Sequence, residues 1–302
     1  MGKILVVGSS NTDMVLKTTR FPEPGETILG GEFFTFQGGK GANQAVAAAR
    51  LGGDVGFACK LGDDAFGKTA LAHYDGEGID VSYISLSGEA PTGVAMITVN
   101  QEGENSIIVA SGANLLLAVN DVKTAVESSS AYWLITQLET PLQVVEYLAG
   151  FAREHDRKLI LNPAPALDLP VSVYDRLFLI TPNENEAERL TGIPVVDEAS
   201  ARLAAAEFKL KGVQNVIITL GSRGAFVDSL GYQGIVESYP VKAVDTTAAG
   251  DVFNGALAVA LSENQAWKEA VQFACRAAAY SVTKMGAQTS APTRAAMERW
   301  IL

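Results

Sequence analysis

The chain has 302 residues, of which 48% are apolar and 19% charged. This length and balance suit one large α/β domain with a well-filled core and argue against long disordered tracts. The formal net charge of −11 argues against a nucleic-acid or anionic-membrane surface as partner, so any bound phosphate must be held locally, by backbone N–H groups or a few cations.

Ile4-Leu5-Val6-Val7 is a β-branched run that predicts a buried parallel strand entering the loop Gly8-Ser9-Ser10-Asn11. The N-terminus turns polar too early for a signal peptide, and nowhere do about 18 apolar residues follow one another, so a cytoplasmic protein is expected. Asn11 and Asp13 are either turn formers or ligand-facing polar groups. Residues 21–36 are broken by proline and have no helical period, which places them in an edge or lid sheet. Gln37-Gly38-Gly39-Lys40-Gly41-Ala42-Asn43 then opens an Ala-rich helix closed by Gly52. Paired glycines let a backbone approach a ligand, and Lys40 and Asn43 can donate to hydroxyls, although a plain connecting turn has the same look.

Residues 55–61 read as another strand. After them, Gly62-Asp63-Asp64-Ala65-Phe66-Gly67-Lys68-Thr69 satisfies the Walker A pattern. As a phosphate cradle it is poor: two aspartates would face the phosphates, and Phe66 is bulky where the loop must hug them. Cys59 and Cys275 are far apart in apolar sequence and read as buried reduced thiols. His73 and His155, the only histidines, stand outside any cluster, so no His/Cys metal site is expected.

Residues 92–99 and 105–109, joined by the polar loop 100–104, predict a hairpin. Beyond it the pattern becomes strand–helix alternation. Apolar runs at 133–136, 159–161, 177–180 and 216–218 each end in a polar loop, and helices at 142–154 and 200–211 lie between them. A parallel sheet with ligands at its carboxyl edge is the expected result. Finally Asp245-Thr246-Thr247-Ala248-Ala249-Gly250-Asp251 precedes a long apolar helix. Small residues at a helix start leave N–H groups uncovered and attract anions. Asp251 is then either a first-turn acid favoured by the dipole or a base placed beside a phosphate.

The two glycine-rich stretches, 38–43 and 245–251, resemble the two signatures of the ribokinase-like (phosphofructokinase-B) sugar kinases. Asn11-Thr12-Asp13, Gln137-Leu138-Glu139-Thr140-Pro141, Asn162-Pro163-Ala164-Pro165, Thr181-Pro182-Asn183-Glu184 and Thr219-Leu220-Gly221-Ser222-Arg223-Gly224 extend the resemblance from about Ile4 to Pro292. It implies a three-layer α-β-α fold over residues 1–302, with a mostly parallel central sheet and a small β-sheet lid from about 13–37 and 92–110. The implied activity is transfer of the ATP γ-phosphate to the 5-hydroxyl of D-ribose. Asp251 falls where the family has its base, and Ala248, Ala249 and Gly250 where backbone N–H groups form the anion hole. Asn11, Thr12, Asp13, Gly39, Lys40, Gly41, Ala42, Asn43 and Glu139 match the sugar-holding region. Asn183, Thr219, Leu220, Gly221, Ser222, Arg223, Gly224, Gly250, Asp251 and Cys275 match the nucleotide side.

Asn183 and Glu186 match an element that meets Mg²⁺ mostly through water. Asp245, Thr247, Ser281, Lys284, Gly286 and Ser290 match a site for K⁺ or another monovalent cation. The resemblance also implies a homodimer joined through the lid sheet. A kinase for another sugar or a nucleoside, and a non-catalytic sugar-sensing protein on the same fold, are the competing readings.

Overall fold

The computed structural model describes residues 2–300. The chain opens with β1 (Ile4–Val7), β2 (Asn11–Lys17), β3 (Glu32–Gly38) and α1 (Lys40–Arg50). There follow β4 (Val55–Ala58), β5 (Lys60–Gly62), α2 (Ala65–Gly76), β6 (Ser85–Ser87), β7 (Gly93–Val99) and β8 (Asn105–Ala110). Next come α3 (Val119–Ser128), β9 (Trp133–Thr136), α4 (Leu142–Glu154), β10 (Lys158–Leu161), α5 (Val171–Tyr174) and β11 (Leu179–Ile180). Then α6 (Glu184–Thr191), α7 (Glu198–Leu210), β12 (Asn215–Thr219), β13 (Ala225–Ser229) and β14 (Tyr232–Val236) lead to α8 (Ala249–Ser262), α9 (Trp267–Ser281) and α10 (Arg294–Arg299).

Eight strands form the main sheet in the order β14-β13-β12-β11-β10-β9-β1-β4. The six from β12 to β4 run parallel, and β13 and β14 close the other edge antiparallel. Both faces are covered, which is why these strands are continuous apolar runs. Ile4, Val6, Ile135 and Ile217 point into a core with α1, α8 and α9, while Leu5, Val7, Leu134 and Ile218 point into one with α3, α4 and α7. Strand order reverses between β1 and β9, and the chain leaving both at that switch point carries Asn11, at the start of β2, and Glu139.

The small sheet has the order β3-β2-β7-β8, with β2 and β7 parallel and the outer pairs antiparallel. Its first strand begins at Asn11, two residues before the expected start at 13, because Asn11 already pairs with Gly38 and Gly93. Residues 18–31 contain no strand. The strand expected over 55–61 is broken at Cys59: β4 stays in the main sheet, and β5 leaves it to pair with β6. The strand expected over 177–180 is shorter, only Leu179–Ile180. Among the described residues no helix is long and apolar enough to cross a membrane.

The Walker A look-alike is a helix cap. Asp64 Oδ1 accepts from Gly67 N–H at 2.8 Å and from the Thr92 hydroxyl at 2.8 Å, and Asp64 Oδ2 accepts from Thr92 N–H at 2.8 Å. Its two aspartates are therefore explained by a cap and by a surface ion pair, Asp63 with Lys68.

Candidate active site

Close packing of α1 on α8 builds the centre of the site. Gly255 has no side chain where a Cβ would lie 2.7 Å from Gln44 O and 2.9 Å from Ala48 N. That absence lets the start of α1 reach the first turn of α8. Asn43 Nδ2 donates to Asp251 Oδ2 at 2.9 Å, and Gln44 Nε2 donates to Asp251 Oδ1 at 3.0 Å. Asp251 is buried, and burial raises its pKa, opposed by Lys40, Asn43 and Gln44 and reinforced by Glu139. The cost of burying this carboxylate is met by two amide donors and one ammonium.

The start of α8 is left open to anions. Ala248 sits in the left-handed region at φ 59°, a turn that gathers successive N–H groups into one concavity. Among the described residues the N–H groups of Gly250 and Asp251 have no backbone partner, and that of Ala249 makes only a 3.3 Å bond to Thr246 O. A Cβ at Gly250 would meet nothing within 4 Å, so the space beside it is free.

Two cavities share this helix start as a wall. One, of about 180 Å³, is lined by Lys40, Asn183, Glu186, Ala248, Gly250 and Asp251 among others. The other, of about 460 Å³, is mostly apolar; Tyr239, Pro240, Val241, Phe253, Cys275 and Val282 contribute to it. Thr219, Thr246, Ala249 and Gly250 line both. A polar cavity joined to a larger apolar one through bare N–H groups suits a ligand with a charged and a planar end.

The residues expected on the sugar side converge from three elements. Gly39, at φ 88°, lets the chain turn from β3 into α1, where any side chain would strike Asn11 N at 2.8 Å. Gly41 lies so close to β1 that a Cβ would come 2.6 Å from Ser9 N. Thr12 and Ala42 are fully buried, which makes them packing neighbours of the site. Glu139 accepts from Ser9 Oγ at 2.5 Å and from Lys40 N at 3.1 Å. Asn11 Oδ1 accepts from Asn114 Nδ2 at 2.8 Å, and Asn114 also bonds the Ser10 N–H and carbonyl. This turns the Asn11 amide so that its donor end is free. Burial, with the charges of Glu139 and Asp251, pushes the Asp13 carboxyl up to about 7. Burial disfavours the Lys40 ammonium, but Asp251, Glu139 and Glu186 outweigh it and leave its pKa raised.

On the nucleotide side Asn183 and Glu186 cap α6 reciprocally, Glu186 N to Asn183 Oδ1 at 2.8 Å and Asn183 N to Glu186 Oε2 at 2.9 Å. Both still line the smaller cavity. Burial raises the Glu186 pKa, with Asn183 N–H and Lys40 opposing. No cluster of three acidic, His or Cys side chains fit to cage a metal occurs among the described residues. One acid and one amide suit Mg²⁺ arriving on phosphates with its own water, and do not suit a resident ion. Gly221, Ser222 and Gly224 line the larger cavity; Leu220 and Arg223 are not in its lining. Arg223 pairs instead with Glu184 at 2.9 Å.

The residues matched to a monovalent-cation site lie on two neighbouring segments. Asp245 Oδ1 accepts from Thr247 N at 2.9 Å and its Oδ2 from Gly286 N at 2.8 Å. Burial is outweighed by the Thr247 side chain together with those N–H groups, and its pKa is lowered. The Ser281 carbonyl accepts from Lys284 N at 3.0 Å, and Ser290 is buried.

Sequence reasoning passed over Gln44, Gln137, Asn162, Thr246 and Asn254. Asn254 Nδ2 donates to Gly250 O at 2.8 Å, and its Oδ1 accepts from Thr181 Oγ1 at 2.6 Å. The signal was there at Asn254: a lone amide within an apolar run needs partners inside the fold.

A parallel sheet with helices on both faces and a phosphate-sized cavity against a bare helix start defines a nucleotide-binding α/β protein. The pfkB family carbohydrate kinase profile matches residues 1–294, and the chain belongs to that family. It is 47% identical to the ribokinase of Haemophilus influenzae over 292 residues, covering 96% of this chain and 95% of that one. It is 38% identical to the deoxyribokinase of Salmonella typhi, covering 96% and 95%. The solved structure of Arabidopsis thaliana ribokinase complexed with ribose and ATP matches with a TM-score of 0.91 and 33% identity, over 99% of this chain and 98% of that one.

Proposed function

We propose that this chain is an ATP-dependent ribokinase, converting D-ribose to D-ribose 5-phosphate. The observation that carries the reading is Asp251: a buried carboxylate in the first turn of α8, beside free N–H groups, on a cavity wall. Asp251 takes the proton of the sugar 5-hydroxyl as that oxygen bonds the γ-phosphorus and the bond from that phosphorus to the β–γ bridging oxygen breaks, releasing ADP. The N–H groups of Ala248, Ala249 and Gly250 meet the charge on the transferring group. Lys40, between the carboxylates and the smaller cavity, adds the one full positive charge.

Asn11, Asp13, Gly39, Asn43 and Glu139 hold the sugar hydroxyls, with Asp13 and Glu139 as acceptors and Asn11 as donor. The larger cavity takes the adenosine, Cys275 forming part of its apolar wall and the 219–224 turn its rim. Mg²⁺ bound with ATP supplies charge neutralisation at the phosphates, and Glu186 and Asn183 meet it through water. The segments carrying Asp245, Thr247, Ser281, Lys284, Gly286 and Ser290 hold K⁺ or a similar cation, mainly through carbonyls.

The small sheet acts as a lid over the sugar and joins two copies in a cytoplasmic homodimer. Its exposed Phe33, Met96, Ile107, Ile108 and Val109 support that role, since an uncovered apolar sheet is an unstable surface. A solution mass of one chain at assay concentration refutes the dimer. The Salmonella typhi relative favours deoxyribose as the second reading. Comparing kcat/KM for ribose, deoxyribose, fructose and adenosine with ATP, with and without K⁺, decides between them. Ribose failing to lead overturns the substrate assignment.

A further inference from the structure

Asp251 is held from a side that faces neither cavity. Gln44 is fully buried and lines neither of them. Its Nε2 donates to Asp251 Oδ1 and to Asn162 Oδ1, each at 3.0 Å, and its Oε1 accepts from Gln137 Nε2 at 2.7 Å. Both N–H bonds and the carbonyl are therefore committed inside the protein. A glutamine amide can be seated in either of two senses. Reversed, Gln44 would turn its oxygen towards Asp251 and Asn162 and its N–H groups towards the N–H of Gln137. The ionised carboxylate and Asn162 Oδ1, itself turned towards Gln44 because Asn162 Nδ2 donates to Thr181 O at 3.3 Å, thus fix which end of Gln44 meets Asp251. Gln137 Nε2 takes up the oxygen on the other side. Gln137 is itself seated against Gly8, where a Cβ would lie 2.1 Å from its Oε1.

We propose that Gln44, its oxygen taken up by Gln137, is a positioning residue that fixes Asp251 Oδ1 and keeps the carboxylate in its proton-accepting form. The proposal rests on the reading of Asp251 as the base. Four other titratable groups bear on the same carboxylate: Lys40 on α1, Glu139 after β9, Asp13 on β2 and Glu186 on α6. Of these only Lys40 favours the ionised state, so the amide donors carry much of the remaining compensation for burial. A donor to the ionised form stabilises that form, and its loss must raise the pKa of Asp251 further. The base works only when ionised. Activity is lost as pH falls through that value, so removing Gln44 moves the acidic limb to higher pH.

The test is the pH dependence of kcat/KM for the sugar at saturating ATP. It compares wild type, Gln44→Leu, Gln137→Met, the double variant and Asp251→Asn, all as full-length protein. In Gln44→Leu the acidic limb is expected to move up by about one pH unit, with the plateau kcat down roughly ten-fold. Gln137→Met should move the limb the same way by less. The double variant should move it no further than Gln44→Leu alone, because the two amides act in series. A role confined to packing would lower the melting temperature and leave the limb in place. An unmoved limb in Gln44→Leu overturns the proposal while an inactive Asp251→Asn retains the base. If Gln44→Leu does not fold, Gln44→Met takes its place, and an unmoved limb there is equally decisive. Near-native turnover by Asp251→Asn overturns the base, and this proposal with it.

Discussion

Gly255→Ala tests whether the contact between α1 and α8 is what places the carboxylate. Gly255 lies one turn beyond Asp251, on the face of α8 that meets α1. Its Cβ would come 2.7 Å from Gln44 O, and 2.9 Å from both Ala47 Cβ and Ala48 N. Two of these atoms are backbone, so no side-chain rotation relieves the clash, and the helices must part by roughly 0.5–1 Å. Replacing glycine inside a helix returns about 1 kcal/mol of propensity, against overpacking that costs about 1–3 kcal/mol. The net loss of about 0–2 kcal/mol corresponds to a fall in Tm of about 0–4 °C.

The same displacement acts on the bonds from Asn43 and Gln44 to Asp251, now 2.9 and 3.0 Å. Stretched by roughly 0.5–1 Å they reach or pass the limit of useful hydrogen bonds. Each bond to a charged group is worth about 1.5–3 kcal/mol, so kcat should fall about 10–100-fold. Thermal melting and steady-state kinetics on the one variant separate the two effects. A lowered Tm with kcat within about two-fold of wild type refutes the reasoning.

Three further outcomes follow from the geometry. The folded protein holds a proton on Asp13 up to about pH 7, whereas the unfolded chain releases it near the ordinary carboxylate value; stability from this group is therefore present at low pH and lost as pH rises through 7. Asp13→Asn should raise Tm at pH 8, a gain that disappears near pH 4, while weakening sugar binding at least ten-fold; no gain at pH 8 in thermal scans refutes it. Cys275→Phe should fill part of the larger cavity and raise KM for ATP about ten-fold or more with KM for the sugar little changed; an unaltered ATP KM would move the nucleotide elsewhere. Lys68→Ala removes only the exposed pair with Asp63 and should leave turnover and Tm within measurement error, so a collapse in ATP turnover would restore the Walker-type reading.

The main sheet was legible because strands buried on both faces must be continuous apolar runs, and each run ended in a polar loop that lines or approaches the site. The hairpin of β13 and β14 was not read, because its two-residue turn, Leu230-Gly231 between paired Ser229 and Tyr232, lacks the Asn-Gly, Asp-Gly or leading glycine that marks such turns. The break at Cys59 has no local cause in the sequence; it follows from β5 finding a separate partner in β6. The helix start at 248–251 was legible because small residues and a carboxylate have a physical meaning together. The apolar wall at 239–243 was not, since contact with a planar ligand demands shape and no fixed residue spacing. The buried amides fall between these cases. Asn254 is visible as an isolated polar residue in apolar sequence, whereas Gln44 and Gln137 stand beside other polar residues, and every partner becomes known only when α1, α8 and the strand ends are brought together.

Charge explains why the amides matter. Glu139, Glu186 and Asp251 bear on a single lysine, Lys40, and Asp13 adds its carboxyl beside Glu139 and Asp251, in a chain of net charge −11. Fully ionised, that group would repel a triphosphate at the place proposed to bind it. Burial counters this by raising the pKa values of Asp13, Glu186 and Asp251, and the acids divide by side. Asp13 and Glu139 are absent from the lining of both cavities, whereas Glu186 and Asp251 line the smaller one together with Lys40. Asp251 lies in the same turn as the free N–H groups, yet both its oxygens accept from side chains of α1. Its charge is thus drawn towards Asn43 and Gln44, and the N–H face of α8 is left positive towards the cavity. The proposed base and the proposed anion site can therefore share one helical turn because a second helix, packed at glycine distance, takes up the carboxylate.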